Sequence, residues 1–273
     1  IAAGRRDLRS LETITIDGKD ARDLDDAISC MERPEGGWRL WVHIADVSYY
    51  VPEHSPMDLE ARERGNSVYL VDRVLPMLPP GLSNGICSLN PDAERLTLTC
   101  EMVVTADGRI QDETIYESVI RSDLRANYTD AWAYLSGEEA PAVYGQYGRL
   151  FKLMYACSEA LSARRKAEGE MEFDFPETHV KLDRDGHPID IYAYPINPAN
   201  GIIEQFMIAA NIAVARTYRK LDAPFLYRVH ELPDPVRLKN FTDTAKLLGV
   251  KVDLHGIPTS SELNDVLSRV KDT

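Results

Sequence analysis

Residues 17–26 read Asp-Gly-Lys-Asp-Ala-Arg-Asp-Leu-Asp-Asp, five carboxylates in ten positions beside one Arg and one Lys. Carboxylates crowded within a few ångströms repel one another and take up protons unless something strongly positive sits among them. A divalent cation meets that need, and an oxygen-only donor set without a His or Cys cluster suits Mg²⁺ or Mn²⁺ rather than Zn²⁺. If 22–27 is extended, alternation places Asp23 and Asp25 on one face and Asp26 on the other, while a turn at Gly18 returns Asp17 toward them. A calcium-binding EF-hand loop needs oxygens at positions one, three and five and Gly at six. Neither a frame begun at Asp17 nor one begun at Asp23 supplies them. A solvated acidic turn has the same composition, so the remainder of the chain must decide whether a site exists.

The elements that would position these carboxylates follow from periodicity. Stretches 11–17, 24–31, 38–47, 67–71, 95–105 and 110–121 alternate or carry β-branched and aromatic residues, with turns at 34–37 and 106–108. They predict a first half of mainly antiparallel strands. Helices are predicted near 56–64, 129–136, 143–168, 200–220, 234–248 and 260–270, with a hairpin over 180–192 that turns at 183–186. The expected fold class is α+β, a mixed, mainly antiparallel β core wrapped by helices, with a channel leading to the acidic site. Residues 76–81, Pro-Met-Leu-Pro-Pro-Gly, are expected to form a loop. The segment 202–218 is apolar nearly all round and is expected to be buried. It places Glu204 and Asn211 on one face, where a buried Glu requires a partner.

Several blocks repeat a known pattern in order. The acidic run is followed by Trp41-Val42-His43-Ile44-Ala45-Asp46-Val47-Ser48, Arg64-Gly65-Asn66-Ser67-Val68-Tyr69 and Pro76-Met77-Leu78-Pro79, the last leading to Leu82-Ser83 and Cys87-Ser88-Leu89. Ala199-Asn200, Ile202-Ile203-Glu204, Ala209-Ala210-Asn211 and Leu226-Tyr227-Arg228 with His230 come later. Over roughly residues 8 to 250 the chain resembles the ribonuclease II and ribonuclease R family of exoribonucleases, and its wording is closer to ribonuclease R. The resemblance implies a processive hydrolase that removes nucleotides from the 3′ end of single-stranded RNA and releases 5′-monophosphates. Two-metal phosphodiester hydrolysis fits a carboxylate cup, which can hold ions about 4 Å apart. By resemblance, Asp17 and Asp26 are direct ligands of Mg²⁺, or of Mn²⁺. Asp23 and Asp25 complete the metal site or orient the attacking water, and Glu204 is a further catalytic carboxylate. Asp20 is read as a turn residue. By the same resemblance, Tyr69 and Phe173 are the aromatic clamp for the RNA bases, and base stacking of this kind is indifferent to sequence.

A formal charge of −13 excludes a protein that binds nucleic acid over its whole surface. Any grip on phosphates must be local, with Arg22, Arg62, Arg64, Arg73, Arg121 and Arg125 as candidates. No Gly/Ser linker, repeat or low-complexity stretch divides the 273 residues, which are read as a single catalytic domain without a cold-shock or S1 module. The family carries a run like Ser-Pro-Ile-Arg-Arg-Tyr-Pro beyond the last residues seen here, so the C-terminal portion of the same protein is an expected partner. The four cysteines form no C-x-x-C pair and are expected to be reduced and buried. His43 and His230 are read as satisfied core or surface residues. No apolar run is long enough to span a bilayer and no signal-peptide core is visible, which implies a cytoplasmic protein without a membrane partner.

Overall fold

The structure is a computed structural model that describes residues 4–171, 178–229, 231–252, 254 and 256–271. Its strands are β1 (Arg6–Asp7), β2 (Ile14–Asp17), β3 (Asp26–Glu32), β4 (Trp38–Ala45), β5 (Val68–Tyr69), β6 (Val74–Leu75), β7 (Glu94–Val104), β8 (Ile110–Arg121), β9 (Leu124–Asn127), β10 (Thr178–Leu182) and β11 (Pro188–Ala193). The helices are α1 (Val47–Tyr50), α2 (Pro56–Arg64), α3 (Tyr128–Ser136), α4 (Val143–Gln146), α5 (Gly148–Ala167), α6 (Pro198–Lys220), α7 (Pro235–Leu247) and α8 (Ser260–Lys271).

Seven strands make one sheet in the order β1-β8-β7-β4-β3-β2-β9. The pairs are antiparallel except at the two edges, where β1 runs parallel to β8 and β9 parallel to β2. Only Ser122 and Asp123 separate β8 from β9, yet these strands stand on opposite sides of the sheet. The sheet is therefore bent round on itself. Asp123 fastens the joint: its backbone N–H donates to the Thr13 carbonyl at 2.7 Å, and its carboxylate accepts from the Thr13 N–H at 2.9 Å.

Strand alternation sorts side chains onto two faces. Ile14, Ile28, Cys30, Leu40, Val42, Cys100 and Met102 form the outer apolar face, which packs with buried residues of α5 and α6, among them Phe151, Met154, Ile202 and Phe206. The inner face carries Thr13, Ser29, His43, Thr97, Thr99 and Ser118, all buried. Buried polar groups need partners, and here each finds one on a neighbouring strand. Thr13 and Ser29 hydroxyls lie 2.7 Å apart. Ser29 is 3.1 Å from His43 Nε2, and Thr99 is 2.8 Å from His43 Nδ1. Ser118 closes the chain at 2.5 Å from Thr99 and 2.7 Å from Thr97. His43 is thus a satisfied core residue, as the sequence predicts. Cys30, Cys87, Cys100 and Cys157 are buried free thiols, also as expected.

Several boundaries differ from the sequence reading. The expected helix over 143–168 is two helices, which meet at Tyr147, whose backbone leaves the helical conformation. The expected strand over 67–71 is a short hairpin, β5 with β6. The expected loop over 76–81 ends early, since Gly81–Ile86 form a π-helical turn capped by Pro80. The segment 202–218 is not buried all round. Ile202, Ile203, Phe206, Ala209, Ala210 and Ala213 face the core, while Glu204 and Asn211 share a solvent face. Exposure gives Glu204 water in place of the buried partner that the sequence reading required. His230 lies outside the described residues. No helix among the described residues is long and apolar enough to cross a membrane.

Candidate active site

Asp17 closes β2 and Asp26 opens β3, and these strands are antiparallel neighbours. The two carboxylates thus stand at one end of the sheet, joined by the loop 18–25. That loop belongs to no strand, yet burial alternates along 23–26 as the sequence predicts. Leu24 is fully buried in a small cluster with Leu82, Cys87 and Leu89, which pulls the chain inward and leaves Asp23 and Asp25 exposed on either side of it.

Backbone bonds then fix the loop around that anchor. The Ser88 hydroxyl accepts from the Leu24 N–H at 3.0 Å and donates to the Arg22 carbonyl at 3.1 Å. The Leu24 carbonyl accepts from the Leu89 N–H at 2.8 Å, and the Asp25 carbonyl from the Ala45 N–H at 2.9 Å. From the other side, the Arg125 guanidinium donates to the carbonyls of Lys19 and Ala21. The segment 82–89 is thus the seat of the acidic loop. Replacing Ser88 by Ala leaves a buried N–H and a carbonyl without their partner. It should destabilise the protein by about 1–3 kcal/mol in chemical denaturation. An unchanged midpoint would show that the loop is held elsewhere.

The carboxylates line the cup with Asp17 and Asp26 half-buried and Asp23 and Asp25 exposed at its rim. Burial, the Asp26 charge and the further charges of Asp23 and Asp25 push the Asp17 carboxyl up to about 7, with Arg125 opposing them. Burial and Asp25 push Asp26 up to about 6, and burial and Asp23 raise Asp25. One oxygen of Asp17 and one of Asp26, both Oδ2, are buried without any hydrogen-bond donor. Unsatisfied buried acceptors of this kind are rare in folded proteins. Two orphaned carboxylate oxygens beside two exposed carboxylates fit a hard divalent cation. As the side chains stand, no three His, Cys, Asp or Glu groups among the described residues converge on one point.

Residues that the sequence did not single out border the cup. Asn127 of β9 pairs with Asp17 in the parallel register, which sets Tyr128 beside the acidic pair. Burial and the charges of Asp17 and Asp26 raise the Tyr128 phenol well above its ordinary range. Asn197, the cap of α6, donates to the Tyr128 carbonyl at 3.2 Å. The Tyr194 hydroxyl approaches Gly18 to the point where a β-carbon there would lie 3.8 Å from it. The signal for both tyrosines is spatial, because no short motif links them to residues 17–26.

The other expected residues are more dispersed. Glu204 is not among the carboxylates that perturb Asp17, Asp25 or Asp26. Tyr69 stands on the β5–β6 hairpin with 70 % of its surface exposed. Phe173 lies outside the described residues. Arg62, Arg64 and Arg73 pair with Asp58, Glu60 and Asp72. Arg22 and Arg121 are exposed.

A family model described as the RNB domain matches residues 5–273. This chain belongs to the RNB domain family. It is 42% identical over 98% of its length to Ribonuclease R of Vibrio parahaemolyticus, covering 32% of that protein. It is 40% identical over 99% of its length to Ribonuclease R of Escherichia coli, covering 33%. This RNB chain therefore spans about a third of the length of the curated relatives it matches. The solved structure of Mycoplasma genitalium RNase R in complex with ribose methylated single-stranded RNA superposes with a TM-score of 0.94 at 32% identity. That match covers 99% of this RNB chain and 42% of the other.

Proposed function

We propose that this RNB chain is the catalytic domain of a metal-dependent hydrolytic exoribonuclease. It shortens single-stranded RNA from the 3′ end and releases 5′-mononucleotides in the cytoplasm. The observation that carries the reading is the pair of orphaned, buried carboxylate oxygens of Asp17 and Asp26, set at the end of the sheet in a chain similar to ribonuclease R. Asp17 and Asp26 would hold Mg²⁺, or Mn²⁺, with Asp23 and Asp25 closing from the rim. Such an ion, once bound, would activate water and stabilise the leaving oxygen. Asp25 and Asp23, exposed to solvent, are placed to orient an incoming water. Arg125 and Ser88 keep the loop in register with the strand ends. Tyr69 and Phe173 are assigned to the RNA bases and Glu204 to catalysis through their place in the family pattern.

A second reading is that the chain is a catalytically incomplete RNA-binding or metal-binding part of such an enzyme, which needs the remainder of the protein as partner. The incomplete convergence of the carboxylates and the coverage of about a third of the relatives favour it. One experiment separates the two. This chain and the full-length protein are incubated with 5′-labelled single-stranded RNA and Mg²⁺, with EDTA controls. A ladder that shortens by single nucleotides from the 3′ end, with mononucleotide release, is expected from the full-length protein and from the chain if it is a complete catalyst. Cutting by the full-length protein alone identifies the chain as incomplete. No cutting by either, or internal cuts only, sinks the exonuclease reading.

A further inference from the structure

The β10–β11 hairpin carries an aromatic row that the acidic cup does not account for. His179 and Tyr192 are directly opposed in the antiparallel register, and Tyr194 follows two residues later on the same side. The His179 ring centroid lies 5.6 Å from that of Tyr192 and 5.6 Å from that of Tyr194, with interplanar angles of 38° and 39°. The imidazole thus sits between two phenols in a continuous tilted row. A cross-strand aromatic pair stabilises a hairpin by up to about 1 kcal/mol, which explains His179 with Tyr192. It does not explain why His179 and Tyr192 remain exposed, with Tyr194 half-buried behind them. All of β11 is exposed, Tyr192 retains 43 % of its surface, and none of the three rings joins a hydrophobic cluster.

The row has a direction. Its inner end is Tyr194, whose hydroxyl meets Gly18 in the loop between Asp17 and Asp26. Its outer end, Tyr192, is in solvent. Lys181 lies two residues beyond His179 on the same face of β10, a cation within the reach of a chain lying along the rings. Exposed aromatic rings in series beside a cation, leading to a phosphodiester-cutting site, are what a single strand of nucleic acid recognises through its bases and backbone.

We propose that the Tyr192–His179–Tyr194 face of the hairpin is a stacking surface along which the bases of single-stranded RNA run toward the acidic cup. The inference rests on the nuclease reading and adds a substrate track to it. A centroid spacing of 5.6 Å is less than twice the ~3.4 Å rise per base, so bases lie over the row rather than between its rings. The surface therefore takes unpaired bases of any sequence and excludes duplex, whose bases are already stacked.

The test is the affinity of the full-length protein for a fluorescent single-stranded RNA in EDTA, where cleavage is off. His179→Ala and Tyr192→Ala should each weaken binding about 5- to 150-fold, while Tyr192→Phe binds as the parent does because the ring is kept. Tyr192→Leu keeps an apolar cross-strand contact but no ring, and it should bind as weakly as Tyr192→Ala. If Tyr192→Leu restores full affinity, or if the His179→Ala and Tyr192→Ala double variant binds RNA as the parent does, the rings are structural and the proposal is overturned. Failure of the parent protein to bind single-stranded RNA at all would instead overturn the nuclease reading beneath it. Melting curves that match the parent identify variants whose hairpin is intact.

Discussion

Replacing Asp17 by Asn should lower RNA shortening at least about a hundredfold and at the same time raise the melting temperature of the metal-free protein at pH 8. The two effects share one cause. The folded-state pKa of Asp17 is raised from its ordinary 3.8 to about 7 by burial and by the neighbouring carboxylates. A carboxyl raised in this way contributes stability below its unfolded value and loses it as pH climbs through the folded value. At pH 8 the ionised group therefore works against the fold. The full shift would correspond to about 4 kcal/mol, and solvent screening of a half-buried group reduces this to about 2 kcal/mol. Asn removes the charge and keeps the shape. Thermal melts in EDTA should show the variant above the parent at pH 8 and level with it at pH 4, and Mg²⁺ should raise the parent more than the variant. A variant that melts below the parent at pH 8 would mean that Asp17 is already satisfied within the protein.

Acidification should reveal His43. Its ring is wholly buried, with only the hydroxyls of Ser29 and Thr99 bonded to its nitrogens, and burial depresses its pKa from 6.5 to about 3. The folded state thus binds no proton there between pH 6.5 and 3 while the unfolded state does. Stability is unaffected above pH 6.5 and falls as pH drops below it. At pH 4.5 the loss is about 3 kcal/mol. The raised carboxylates of the cup slope the other way over part of this range, so the clean quantity is a difference between proteins. Denaturation midpoints of the parent and of His43→Gln, compared at pH 7.5 and 4.5, should show the parent losing about 3 kcal/mol more. Parallel losses would show that the imidazole accepts a proton in place, with a hydroxyl turning to receive it.

The sequence displays the donors of the site more fully than their arrangement. Asp17 and Asp26 are legible because carboxylate density needs no fold to be seen. The helices are legible largely from their caps: Ser55 and Asp234 cap α2 and α7, and Asn197 opens α6 with a reciprocal capping box. The seat of 22–26 is hidden, because nothing local says that Leu24 packs with Leu82, Cys87 and Leu89. The parallel edges are hidden too. β9 is four residues long, and nothing local in Leu124–Asn127 says that it lies beside Ile14–Asp17. Tyr128 and the tether from Arg125 to the loop follow from that pairing and Tyr194 arrives beyond β11, so all three emerge only with the fold.

The pairing of β2 with β9 also sets a clock on synthesis. The acidic loop is made first, and about a hundred further residues must follow before Asn127 and Arg125 exist to fix it. At about 5–20 residues per second that interval is about 5–20 s. For its duration a growing chain holds the carboxylates without the strand that sets their spacing.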